Sequence, residues 1–175
     1  MTRCSSPDEK RAYEREKSGR LIIKENMLTY SDTKNFTAEE LGALFSSVKW
    51  ESSKYPARLA RAMKGFAAVF SAWEEGTLVG LLAAMDDGEM TAYIHYLLVS
   101  PAFQGRGIGR QLLQMALGHY RGYTRVVLHA EGSASAFYRA QGFCAMNAEC
   151  MGIVPPDGGK QGAGEACGVA AANRP

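Results

Sequence analysis

No apolar run in this sequence is long enough to cross a bilayer. The longest, such as residues 78–85, is broken by Gly80, whereas a spanning helix needs about 20 apolar residues. A membrane span is thereby excluded. Residues 1–20 are rich in charge and lack the apolar segment of a secretory leader, so a cytoplasmic protein is expected. Charge of one sign is missing too, since 20 Lys and Arg stand against 18 Asp and Glu, a formal net charge of +2. No broad field marks the chain for nucleic acid or a membrane surface; neither is expected as a partner. Cysteine is sparse. Cys4, Cys144, Cys150 and Cys167 form no CxxC pair and have no histidine at ligand spacing, so no metal is expected and the thiols read as reduced.

What is present suits one domain: 175 residues, 46% of them apolar, can bury a sizeable core but are few for two domains. Residues 155–175 are rich in Gly, Ala and Pro without a large apolar anchor, and read as a flexible tail. Residues 1–20 read as a polar extension, with a short solvated helix over 12–17. The domain itself is expected over 21–154.

Along that domain, residues 21–30 read as a strand or a hairpin pair. The sequence Thr37-Ala38-Glu39-Glu40 fits a capping box, with Phe36 and Leu41 spaced as a hydrophobic staple; a helix is expected from Thr37. Pro56 suits the first position of a second helix, with Leu59 and Met63 on one face and Gly65 at its end. Three short runs, 66–73, 77–85 and 89–99, separated by Glu-Glu-Gly and Asp-Asp-Gly turns, read as an antiparallel meander. Ile108, Leu112, Met115 and Ala116 recur at helical spacing. Val126, Val127 and Leu128 form a compact strand, residues 133–141 a short helix, and 143–154 a last strand. Strand, two helices, three strands, helix, strand, helix, strand make a mixed α/β layer fold.

Between Val99 and that third helix stands Gln104-Gly105-Arg106-Gly107-Ile108-Gly109-Arg110. Backbone without Cβ atoms at a helix start lets a ligand approach unpaired amides, where the helix dipole favours negative charge. The segment lacks the Lys-Ser/Thr ending of a P-loop and the spacing G-x-G-x-x-G. It reads either as a phosphate-binding bend or as a tight connection without a ligand.

The segment resembles the Q/R-x-x-G-x-G/A signature of the GNAT (GCN5-related N-acetyltransferase) superfamily. Ala134, Phe137, Tyr138, Gly142 and Phe143 resemble the A-x-x-F-Y-x-x-x-G-F motif that follows in that family. The resemblance implies a single α/β domain whose central, mostly antiparallel sheet has splayed fourth and fifth strands and is flanked by helices. It implies acetyl-CoA as donor, with its pyrophosphate on the amides of Gln104, Gly105, Arg106, Gly107, Ile108 and Gly109 and with Arg110 near the phosphates. Arg106 reads equally as a solvated loop side chain. Backbone groups of Leu97, Leu98 and Val99 would pair with the pantetheine arm, a form of strand addition. Homodimers through the last strands are common in the family.

An aliphatic amine has a pKa of about 10, so amide formation at neutral pH needs a base, an oxyanion donor and an acid for the leaving sulfur. The resemblance makes Tyr138 the acid, and core packing is its other reading. Strand alternation sets Tyr93, His95, Leu97 and Val99 on one face. His95 is the candidate base, or else a hydrogen-bonded core histidine, and the Leu97 amide is the candidate oxyanion donor. Tyr30, Trp50, Tyr55, Trp73 and Tyr93 are candidates for the amine pocket; the aromatics suit packing equally. Glu131 stands where the family often has asparagine, and its carboxylate suits a cationic amine. Asp86 and Asp87 are explained by their turn. The expected activity is acetyl transfer to the primary amine of a small molecule; a peptide or lysine acceptor and a noncatalytic acyl-CoA sensor are the alternatives.

Overall fold

Thr37 opens the first helix with reciprocal bonds: its hydroxyl accepts from the Glu40 amide at 3.1 Å, and its own amide donates to the Glu40 carboxylate at 2.8 Å. Phe36 and Leu41 are both buried at this start, as a staple requires. The structure is a computed structural model that describes residues 12–15, 21–25, 28–130, 132, 134–147 and 151. Its order is β1 (Ala12–Arg15), β2 (Leu21–Glu25), β3 (Leu28–Ser31), α1 (Ala38–Ser47), α2 (Pro56–Gly65), β4 (Ala68–Glu74), β5 (Thr77–Asp86), β6 (Thr91–Val99), α3 (Ile108–His119), β7 (Arg125–Leu128) and α4 (Ala134–Ala140). Short 3-10 turns occupy Glu51–Lys54 and Pro101–Phe103.

The strands form one sheet in chain order from β1 to β7. Neighbours are antiparallel from β1 to β6, and only the β6–β7 pair is parallel. Parallel neighbours need a crossover connection, and α3 supplies it. Residues 12–15 are a strand, not the expected solvated helix. A helix so short lacks enough internal bonds to form alone, whereas β2 offers Ala12–Arg15 a full antiparallel partner. Residues 143–147 carry no strand, and most of the rest of the last strand expected over 143–154 lies outside the described residues.

Helices α1 and α2 cover one face of the sheet. Their Leu41, Leu44, Phe45, Leu59 and Met63 form a core with Val69, Leu81, Ala83 and Leu98. Lys49 follows α1 with a left-handed φ of 58° and turns Trp50 back onto Phe45 at 5.8 Å between ring centroids. Helix α3 covers the other face, burying Ile108, Leu112, Leu113 and Ala116. It sits close to the sheet at Gly80, where an added Cβ would lie 3.1 Å from Ile108 and 3.2 Å from Leu112. Among the described residues no helix is long and apolar enough to cross a membrane.

The chain divides into two compact units, Met1–Ser135 and Ala136–Pro175. In the second, the Phe143 amide donates to the Tyr138 carbonyl at 3.1 Å and the Gly142 amide to Arg139 at 3.0 Å, ending α4. Cys144 is exposed with a free thiol.

Candidate active site

Strand β6 changes partner and parity at one residue. Ile94 pairs with Ala84 and Tyr96 with Ala83 on β5, which leaves His95 as the extra residue of a bulge. The parallel ladder with β7 ends at the same point, its last pair being Ile94 with Leu128. Beyond it, no strand among the described residues pairs with the outer edge of β6.

The register says which groups that edge presents. The Ser100 amide donates to Val79 at 2.8 Å, and hydrogen-bonded and non-bonded pairs alternate along an antiparallel ladder. Leu98, opposite Leu81, therefore turns its backbone groups to β5, while Leu97 and Val99 turn theirs to the open edge. The Val99 carbonyl is taken by the Gln104 side chain at 3.0 Å. Of the three strand residues expected to meet the pantetheine arm, Leu97 thus offers both groups, Val99 its amide, and Leu98 neither.

The bulge also corrects the expected side-chain alternation. Leu98 and Tyr96 pack toward α1 and α2, whereas Val99 lies opposite Gly80 and so faces α3; Leu97, one residue from each, shares that α3 face. His95 does not. Its ring stacks on Phe66 at 5.7 Å and lies 4.2 Å from the Tyr96 ring and 6.0 Å from Tyr93, on the α1–α2 side. Partial burial lowers its pKa from 6.5, because desolvation disfavours the cation. At neutral pH the imidazole keeps a lone pair for a proton.

The glycine bend follows directly. Gly105 and Gly107 hold φ of 74° and 81°, a region costing other residues roughly 1–2 kcal/mol. A Cβ at either would meet nothing within 4 Å, so open space, not crowding, surrounds the backbone there. Gly107 caps α3, and the Gln111 amide is the first to return to it, at 3.0 Å. Among the described residues no backbone acceptor takes the amides from Gly105 to Arg110. Such a run of donors at a helix start fits a diphosphate. Arg110 is exposed beside it. Arg106 is committed elsewhere: its guanidinium makes a two-pronged ion pair with Glu74 at 2.5 and 3.2 Å and lies 5.4 Å over the Phe103 ring. The bond from Arg106 also lowers the Glu74 pKa.

The aromatic candidates separate by burial. Tyr30 is 2% exposed in the sheet. Trp50 packs between Phe45 and Tyr96, and Trp73 stacks on Phe36 at 6.0 Å and donates to Ser71 at 2.8 Å. Tyr55 is the exposed one. It lines a cleft of about 220 Å³ with Ser52, Arg58, Leu59, Ala62 and Tyr96. Tyr93 meets His129, hydroxyl to Nδ1, at 3.3 Å. Glu131 lies outside the described residues. In its own unit Tyr138 is half-buried between Phe137 and Phe143, and desolvation raises its pKa. Asp87 belongs to its turn: its carboxylate accepts from the amides of Glu89, Met90 and Thr91 and is pulled to about 2.

A family model described as an acetyltransferase (GNAT) domain matches residues 27–152. The chain belongs to the GNAT acetyltransferase family. It is similar to the uncharacterized N-acetyltransferase ycf52 of Porphyra purpurea, with 31% identity over 137 residues, 74% of this chain and 72% of that protein. Among solved structures, a GNAT family acetyltransferase from Streptococcus pneumoniae TIGR4 superposes with a TM-score of 0.65 at 25% identity, covering 74% of this chain and 99% of that one. Glucosamine-6-phosphate N-acetyltransferase from Arabidopsis thaliana shares the fold, with a TM-score of 0.59 at 13% identity over 73% and 99% of the two chains. This GNAT chain is accordingly an N-acetyltransferase.

Three features of this GNAT site escaped the sequence. The Tyr93–His129 contact joins residues 36 apart, and the Glu74–Arg106 pair residues 32 apart; neither leaves a local pattern. The cleft depends on how the Glu51–Lys54 turn meets α2 and β6. Its one legible signal was Pro56, which marks where α2 begins.

Proposed function

We propose that the protein transfers the acetyl group of acetyl-CoA to the primary amine of a small molecule by direct attack of the amine on the thioester. The observation that carries this reading is the continuity along β6: the bulged His95, the open edge at Leu97 and Val99, and the donor-rich bend from Gly105 to Arg110 follow one another in sequence and space. When bound, acetyl-CoA supplies an activated acyl group on a good leaving sulfur. The amides of residues 105–110 and the Arg110 charge would hold its diphosphate, and Leu97 and the Val99 amide its extended arm. Gln104 and Arg106 act indirectly, tying the bend to Val99 and Glu74.

At pH 7 about one amine in a thousand with a pKa near 10 is neutral. His95, neutral under the same conditions, takes the proton of the attacking nitrogen. The Leu97 N–H donates to the carbonyl oxygen as charge gathers there. Tyr138, whose phenol stays protonated well above neutrality, donates to the departing sulfur, in keeping with the family motif it matches. Each such proton transfer contributes typically 10²–10⁴-fold. A small acceptor is supported by the size of the cleft and by the name of the Arabidopsis thaliana fold neighbour.

The test has two stages. Acetyl-CoA at about 100 times its Kd should stabilise the fold by about 2.7 kcal/mol, read as a rise in Tm; no shift at saturation overturns the donor assignment. Thiol release with a panel of small amines should then fall at least about tenfold in Tyr138→Phe while donor affinity holds, and an unchanged rate removes Tyr138 as the acid.

A further inference from the structure

The cleft beside Tyr96 has one charged wall. Ser52, Tyr55, Arg58, Leu59, Ala62 and Tyr96 line it, and of these only Arg58 is ionic. The guanidinium stands 5.5 Å over the Tyr55 ring, a contact that orients a cation without neutralising it. The neighbouring acid is already engaged, since Glu51 pairs with Lys54 at 2.6 Å. Among the described residues Arg58 has no carboxylate partner. The segment around it is basic: Lys49, Lys54, Arg58, Arg61 and Lys64 face Glu51 alone within residues 48–66, five charges against one and a local balance of +4. The segment thus carries a larger positive balance than the whole chain, whose net charge is +2. A cleft lined by one sign of charge attracts ligands of the other.

Through Tyr96 the cleft neighbours the candidate base. Tyr96 is one of its lining residues, and the His95 ring lies 4.2 Å from the Tyr96 ring. An acceptor held against Tyr55 and Tyr96 would lie beside the guanidinium that stands over Tyr55 and near the imidazole that neighbours Tyr96.

We propose that the preferred acceptor is a small primary amine that also carries an acidic group, carboxylate or phosphate monoester, and that Arg58 binds this group. The assignment rests on the acetyl-transfer reading above and narrows it. Arginine suits the task because its planar fork matches the paired oxygens of either acid. Leu59, Ala62 and the two tyrosines bury the carbon skeleton between the ends.

Matched pairs of amines decide it, through thiol release from acetyl-CoA. The carboxylate arm compares 4-aminobutyrate with propylamine, and the phosphate arm compares O-phosphoethanolamine with ethanolamine. In at least one arm the acidic member should have the higher kcat/KM by about tenfold or more, the scale of a charge-assisted bond; the winning arm names the acid. Arg58→Gln should collapse that ratio, and Arg61→Gln, on α2 but outside the cleft, should keep it. Preference for the neutral amine in both arms, or a ratio that survives Arg58→Gln, overturns the proposal while leaving acetyl transfer intact. Absence of release from every amine overturns the transfer reading instead. The cleft is then judged by binding alone: stabilisation of the unmodified protein by O-phosphoethanolamine or 4-aminobutyrate that Arg58→Gln abolishes supports the anion site, and no stabilisation by either refutes it.

Discussion

His95 shows how much one inserted residue can do. As the extra residue of the bulge it leaves the ladder on both sides, so its ring leans on Phe66 and Tyr96. That partial burial lowers its pKa from 6.5. A lowered histidine is neutral through the physiological range and gains its charge only below the ordinary value, so as a base it should fail only as the pH falls below about 6.5. The acid limb of kcat/KM, followed with an amine in excess, should therefore lie under pH 6.5. His95→Gln should lower kcat by roughly 10²-fold or more and remove that limb. A limb unchanged in the variant would transfer the base to another group, with the Tyr93–His129 pair next in line.

At the scale of elements, starts and stops were written locally. Thr37 and Glu40 lie three residues apart and bond to each other, so nothing distant is needed to begin α1. Thr37→Ala removes the acceptor for the Glu40 amide, and denaturant unfolding should show a loss of about 1 kcal/mol. Pro56 begins α2 for the same kind of reason, its fixed φ and missing amide suiting a first helical position. The segment over residues 12–15 went the other way: its local sequence suited a helix, and a neighbouring strand overrode it. Intrinsic preferences are small per residue, and partner strands outweigh them.

The unit Met1–Ser135 is a sheet held between two helical layers, and Gly80 is where the spacing of one layer is set. The strand run 77–86 contains this single residue without a side chain, and α3 rests on it through Ile108 and Leu112. Glycine within a strand often marks such an approach. Gly80→Val would force the helix outward, and a destabilisation of about 1–3 kcal/mol in thermal or denaturant unfolding is expected. Because α3 carries the glycine bend at its N-terminus, the affinity for acetyl-CoA should weaken in the same variant. An undiminished donor affinity would show that the bend holds its shape independently of the seat of α3.

Periodicity, turn residues and capping pairs were enough to read the mixed α/β order and the bend before α3, and the motif tyrosine was read from a family resemblance; each of these is specified by residues within a few positions of one another. The side of β6 that a residue faces was not. A bulge is defined by the partner strand, and it moved His95 and Tyr96 to the face of α1 and α2 while Leu97 and Val99 kept the face of α3. The engagement of Arg106 by Glu74, the meeting of Tyr93 with His129 and the exposure of Arg58 in its cleft were likewise decided by the tertiary structure. Each depends on charges and rings from separate elements arriving at one place, and such encounters are set by packing rather than by any local run of residues.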